Sequence, residues 1–173
     1  MKGLIIYKTK YGSTKKYAGW LSEETGFPCV STDEADIKSL PSYDVLIFCG
    51  GVYASGISCV SFLKKVYDKI KDKKIMIFAC AASPYDERFI EALAEHNLKD
   101  ALKDIPVFYG RGGFDMKGMT FADRTLCRML RKAVAKKEPK DYELWESALM
   151  SVSEDEKGDW TDKAYLEPLL KSL

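Results

Sequence analysis

At 173 residues, with 27 basic and 26 acidic side chains, the chain carries a formal net charge of +1, which argues against a nucleic-acid binder, since such proteins neutralise phosphates with a basic excess. Apolar residues make up 46% of it and charged residues 31%, the balance of a soluble globular protein, and the length suits a single domain over residues 1–173. No apolar run approaches the ~20 residues of a membrane-spanning helix, and the opening residues go straight into a strand, so no secretory signal is expected.

In chain order, the first element is an apolar β-rich run at residues 3–7, carrying Leu4, Ile5, Ile6 and Tyr7. It breaks into a loop of hydroxyls around one glycine, formed by Thr9, Lys10, Tyr11, Gly12, Ser13 and Thr14. A helical pattern over 14–25 follows directly, with Tyr17, Ala18 and Leu21 on one face and Gly26-Phe27-Pro28 ending it. A strand feeding a helix through such a loop makes an anion site. The first helical N–H groups have no intrahelical partner, the helix dipole adds about half a positive charge, and backbone and hydroxyl donors converge on a phosphate. The loop is neither GxxxxGK(S/T) nor GxGxxG, so it lacks the lysine and Mg²⁺-holding hydroxyl of a nucleoside-triphosphate loop. In the competing reading Ser13 or Thr14 is simply an N-cap, worth about 1 kcal/mol, and Gly12 serves the turn.

A weaker run at 29–31 suits a short edge strand, and strong apolar runs follow at 45–49, 75–80 and 107–109. Near-continuous apolar strands bury both faces, as in a parallel sheet. Between them lie amphipathic stretches over 60–71, 86–103 and 121–137, and a last helix over 162–172. The clearest is 121–137, where Leu126, Met129, Leu130, Ala133 and Val134 follow the helical period. Strands alternating with helices predict an α/β fold with a doubly wound, five-stranded parallel sheet. Strand order 2-1-3-4-5 is the natural choice, because crossovers are right-handed. Residues 138–160, charged and irregular, are expected to form a solvated connection or a mobile flap.

In an open parallel sheet, ligands bind at the carboxyl ends of the strands. Besides the hydroxyl loop, three loops qualify. After the third strand come Gly50, Gly51, Val52, Tyr53, Ala54, Ser55 and Gly56, whose glycines permit close backbone approach and whose Tyr53 is a stacking candidate. After the fourth come the small residues Ala81, Ala82, Ser83 and Pro84, with Tyr85 behind them. After the fifth comes a segment from Tyr109 to Met119 that holds Gly110, Arg111 and Gly112.

Five cysteines (Cys29, Cys49, Cys59, Cys80, Cys127) form no CxxC pair and sit mostly in apolar runs, as buried thiols in a reducing cytoplasm do. Cys49 and Cys80 end strands, so either could lie near a ligand, a position that does not make them reactive. The lone histidine, His96, falls in a predicted helix, and no metal-ligand spacing is present. No acid–base pair or nucleophile stands out as catalytic. Arg124, Arg128, Arg131, Lys132, Lys136 and Lys137 make the 121–137 helix basic. Such a face suits an acidic partner, an anionic substrate or peripheral contact with a membrane, with a solvated surface as the plain alternative.

The hydroxyl loop, and with it the whole array, resembles flavodoxin across nearly the whole chain. More narrowly it is similar to the flavodoxin-domain family that includes the bacterial menaquinone-dependent protoporphyrinogen oxidase. The segments carrying the likeness are YKTKYGST, CGGVYASGIS and FYGRGGFDMKGMTFADRTLCRMLRK. The resemblance implies that Thr9 to Thr14 hold the phosphate of FMN, that the loops Gly50 to Gly56 and Ala81 to Pro84 flank its isoalloxazine, and that Arg111 with its neighbouring glycines closes the site near the ring's polar edge. It implies a redox protein: an FMN-dependent oxidoreductase acting on a small organic substrate or quinone, or alternatively an electron carrier serving a partner protein. Carriers of this kind are usually strongly acidic, which steers them to basic partners, and the balanced charge here favours the oxidoreductase.

Overall fold

The apolar runs become strands because the fold covers both of their faces. In a computed structural model of residues 1–173, the elements are β1 (Gly3–Lys8), α1 (Ser13–Thr25), β2 (Cys29–Ser31), β3 (Val45–Tyr53), β4 (Gly56–Ile57), α2 (Val60–Val66), β5 (Lys74–Ala81), α3 (Glu87–Asn97), β6 (Val107–Arg111), β7 (Gly113–Asp115), α4 (Phe121–Val134), α5 (Leu144–Met150), β8 (Lys157–Asp159) and α6 (Glu167–Lys171). Strands β2, β1, β3, β5 and β6 pair in that order, all parallel. This is the five-stranded doubly wound α/β arrangement expected from the alternation of strands and helices.

Successive side chains of a strand point to opposite faces, and the core divides accordingly. Leu4, Ile6, Leu46, Phe48 and Ile77 pack against Val60 and Leu63 of α2 and Leu93 of α3. Ile5, Ile47, Cys49, Met76 and Phe78 pack against Tyr17, Ala18 and Leu21 of α1 and against Leu166 and Leu169 at the C-terminal end. Burying one such side chain contributes about 1.5–3 kcal/mol. A one-residue slip would turn the whole set to the wrong layer, so the register is firmly specified.

Several boundaries differ from expectation. Strand β3 runs on through Gly50, Gly51 and Val52 to Tyr53 and returns as antiparallel β4, so half of that loop is a hairpin. The 60–71 and 86–103 helices each end early and continue as a 3-10 turn, over Tyr67–Lys69 and Asp100–Leu102. Residues 138–160 are not merely a solvated connection: they hold α5 and β8, and Ala148, Leu149 and Val152 are buried.

The largest departure is α4. Its apolar stripe does not cover the sheet; Val134 is its one buried residue, while Phe121, Leu126 and Met129 are 83%, 55% and 64% exposed. The C-terminal 3-10 turn (Lys163–Leu166) and α6 take the place beside α1 instead. Helices α4 and α5 belong to an excursion closed at its base by the β7–β8 ladder, where Gly113 pairs with Asp159 and Asp115 with Lys157. Inside it, Arg124 donates to the carbonyls of Met116, Lys117 and Met119, and Arg131 to those of Leu149 and Val152. These guanidiniums fasten the excursion to itself. No helix is long and apolar enough to cross a membrane.

Candidate functional site

The hydroxyl loop leaves β1 at Lys8 and enters α1 through Gly12. Gly12 has φ +100°, a left-handed conformation that favours glycine, and it is itself the helix N-cap, with no side chain capping the helix and no acidic residue in the first turn. Ser13 and Thr14 therefore do not cap. The Gly12 N–H is held by the Thr9 hydroxyl at 3.0 Å. The N–H groups of Ser13, Thr14 and Lys15 keep the open state of a helix start, with the dipole's positive end behind them.

This helix start opens on a cavity of about 690 Å³, within the size range of small-molecule and cofactor sites. Its lining brings together all of Thr9, Lys10, Tyr11, Gly12, Ser13 and Thr14, then Gly51, Val52, Tyr53, Ala54 and Ser55, then Ala81, Ala82, Ser83 and Gly112. Four strand ends thus converge, as the sheet topology requires.

Six expected residues do not line the cavity. Gly50 is enclosed by the core: a Cβ there would stand 2.7 Å from Cys59 Sγ. Gly110 lies likewise against Phe78 and Tyr17. Gly56 sits in the hairpin's return strand and Pro84 beyond the cavity wall. Tyr109 is buried, its hydroxyl donating to the Ser83 carbonyl at 2.6 Å. Arg111 is turned away: its Nε donates to the Ala82 carbonyl at 2.9 Å and its guanidinium stacks 4.1 Å from the Trp160 ring. Both side chains support the Ala81–Ser83 wall from behind.

The β3–β4 hairpin forms a second wall. Ala54 and Ser55 at its tip have φ +46° and +65°, the backbone of a two-residue hairpin turn of the primed type, here without the usual glycine or asparagine. Asn97, 8% exposed at the end of α3, holds this turn in place. Its side chain accepts the Ile57 N–H and donates to the Ser55 carbonyl and the Leu93 carbonyl, each at 2.8 Å.

Further lining comes from residues that are not among the candidate site residues. Met119, Leu126, Cys127 and Leu130 come from α4 and its approach, and Trp145, Ala148 and Leu149 from α5. Of the helical stripe of α4, Leu126 and Leu130 line the cavity, while Met129 is exposed and Val134 is buried. Lys10 and Asp123 are the only charged side chains in the lining. Asp123, in the first turn of α4, accepts from both the Lys10 ammonium and the Tyr11 hydroxyl. The Lys10 and Tyr11 bonds hold its carboxyl below the usual carboxylate range, and the Asp123 bond raises the Lys10 ammonium. Cys80 also lines the cavity, but burial pushes its thiol up to about 12, so it is a protonated packing group and no nucleophile.

The arrangement suits a ligand with an anionic end and a flat apolar body. Free N–H groups and hydroxyls stand at one end, and small or aromatic residues form the walls. FMN fits this donor set. No curated protein sequence matches the chain. Among solved structures, the Trp repressor binding protein from Bacillus subtilis is similar with a TM-score of 0.49 at 14% identity, over 64% of this chain and 85% of that one. Oxidised flavodoxin 1 from Bacillus cereus gives 0.38 at 18%, over 63% and 84%. The FMN-dependent NADH-azoreductase from Bacillus anthracis, in complex with FMN, gives 0.38 at 8%, over 73% and 93%. Likenesses this distant share an outline and nothing finer. In sequence, however, a family model described as flavodoxin domain matches residues 4–142, and the chain therefore belongs to the flavodoxin domain family, whose flavin-related redox role its cavity suits.

Proposed function

We propose that this protein is an FMN-dependent oxidoreductase acting on a small organic substrate or quinone. One observation carries the reading: the uncapped start of α1 faces a cavity whose other walls are almost wholly apolar. In that reading the N–H groups of Ser13 to Lys15 and the hydroxyls of Thr9, Ser13 and Thr14 hold the FMN phosphate. The Gly51–Ser55 hairpin and the Ala81–Ser83 segment flank the ring. FMN supplies the electron-transfer chemistry when bound. The protein's part is to place the ring and to set an apolar α4 and α5 wall beside it, with the Cys80 thiol in the lining held protonated. A carrier needs its ring open to a partner protein; the α4 and α5 residues that line the same cavity support a small co-substrate beside the ring instead.

The sharper form of the proposal, a protoporphyrinogen oxidase-like activity, draws on the three matching segments of sequence described above. Five unpaired cysteines favour a reducing cytoplasm. The visible spectrum of the purified protein before and after addition of FMN tests the cofactor; a colourless protein that takes up no FMN overturns it. Anaerobic turnover of protoporphyrinogen with menaquinone by FMN-loaded protein tests the sharper form, and no turnover removes it. Rapid electron exchange with a partner reductase, with negligible turnover of quinones, would make the protein a carrier.

A further inference from the structure

The excursion adds to the cavity something that a phosphate loop and two ring walls do not need. Leu126 and Leu130 of α4 face the same space as Trp145, Ala148 and Leu149 of α5. Together they make an apolar annex continuous with the rest of the cavity. No free cation enters it. Arg124 and Arg131 donate into backbone carbonyls of the excursion, Arg128 pairs with Glu154 at 2.9 Å, and Lys137 pairs with Glu146 at 2.6 Å. Arg111 is stacked on Trp160. The charges nearest the annex are the Asp123 carboxylate and the Lys10 ammonium paired with it, and Tyr11 donates to the same carboxylate.

We infer that the annex between α4 and α5 binds the uncharged, planar aromatic quinone partner of the reaction, and that carboxylate- or sulfonate-bearing molecules, a tetrapyrrole reductant included, do not enter this annex and reach the ring from elsewhere. The inference rests on the oxidoreductase reading for its purpose but not for its test. An apolar wall with one indole gains by covering a flat hydrocarbon surface. An anion placed there would lose its hydration with no unpaired cation to replace it and would have to compete with Asp123 for Lys10. The annex is walled by the chain's own helices, in an excursion closed at its base by β7 and β8, so its walls do not depend on FMN. Its continuity with a cavity of about 690 Å³ fits a small molecule rather than a peptide or a second copy of the chain.

Calorimetric titration with 1,4-naphthoquinone and with 1,4-naphthoquinone-2-sulfonate, on FMN-free and FMN-loaded protein, tests this. The neutral probe should bind at least tenfold more tightly than the sulfonate. Leu126→Glu, at a position exposed enough to tolerate the change, and Leu130→Gln should each weaken the neutral probe at least fivefold on the FMN-free protein, with the unfolding midpoint showing that each variant is folded. Quenching of tryptophan emission by the neutral probe should fall in Trp145→Phe. Equal binding of the two probes overturns the inference, as does unchanged probe binding in both leucine variants. A protein that takes up no FMN would overturn the oxidoreductase reading alone, because the FMN-free titration still reports on the annex.

Discussion

The Ser13 hydroxyl accepts the Gly113 backbone N–H at 3.0 Å, across one hundred residues of sequence. It joins the loop that starts α1 to the first residue of the excursion. Gly113 must be close: a Cβ there would stand 2.8 Å from the Gly158 carbonyl oxygen and 3.4 Å from Ser13 Oγ. Ser13→Ala removes the acceptor and leaves a half-buried donor, a loss of about 0.5–1.5 kcal/mol. Exchange of the Gly113 amide with solvent deuterium should quicken by roughly three- to tenfold on that scale. The double change Ser13→Ala, Thr14→Ala should also weaken FMN uptake at least tenfold, since hydrogen bonds to a charged group contribute about 1.5–3 kcal/mol each. Fluorescence titration of FMN measures this, and unchanged affinity would show that the phosphate lies elsewhere.

The parallel sheet was legible because its strands are unbroken apolar runs, and the hydroxyl loop because a strand, a glycine and a helix start stand in immediate succession. The excursion was not. The β8 segment Lys157-Gly158-Asp159 has no strand preference of its own and is extended only because β7 lies beside it. Helix α5 is two turns long, and one of its three buried positions, Glu146, is a carboxylate. The stripe of α4 is a true helical period, but periodicity reports an apolar face without saying whether protein or ligand covers it. Arg111 illustrates the same limit: its place in a glycine-rich segment was visible, its turn toward Trp160 was not.

Asn97 makes three bonds from inside the protein. Asn97→Ala strands the Ile57 N–H and the Ser55 carbonyl, at about 1–3 kcal/mol for buried unsatisfied groups. For a domain of this size the unfolding midpoint should fall by roughly 3–10 °C. Asn97→Asp keeps one acceptor, loses both donors and buries a charge, so it should be no milder. Calorimetry measures both, and a midpoint unchanged in both variants would mean that the hairpin holds itself.

The hairpin tip carries two residues in the left-handed region, Ala54 and Ser55, where a non-glycine residue costs about 1–2 kcal/mol. Replacing the pair by Asn-Gly, the preferred sequence for this turn, should stabilise the protein by about 0.5–1.5 kcal/mol after the added backbone entropy of glycine is subtracted. Urea unfolding gives the answer. A loss of stability would mean that Ala54 and Ser55 make contacts the turn geometry does not account for.

Asp159 fastens β8 to α1. Its carboxylate accepts from Thr161 and from the Lys16 ammonium at 3.0 Å, and these bonds, Thr161 first, lower its pKa to about 2. The folded pKa lies below the unfolded one, so the contribution to stability is complete above the ordinary carboxylate range. It is lost as pH falls through about 2. Carboxyl carbon shifts followed by NMR from pH 5 downward should show Asp159 titrating after the exposed carboxylates. Asp159→Asn should loosen the β7–β8 ladder at neutral pH and remove that late step. Titration of Asp159 together with the exposed groups would contradict the assignment.

Asp123 ties the start of α4 to the hydroxyl loop through Lys10 and Tyr11, and in doing so sets a carboxylate beside the site assigned to a phosphate. Two effects oppose each other on substitution. Asp123→Asn removes a like charge and frees Lys10 for the ligand, but it slackens the excursion. The Coulomb effect acts directly on a dianionic ligand, whereas an exposed ion pair contributes little to stability because water and salt screen it. The first effect should win. FMN affinity should rise several-fold at low ionic strength, and the gain should shrink as salt screens the charges. Lys10→Ala should weaken FMN binding with the same salt dependence. If Asp123→Asn weakens FMN binding at every ionic strength, the carboxylate acts chiefly by holding Lys10 in position, and the loop depends on the excursion for its shape.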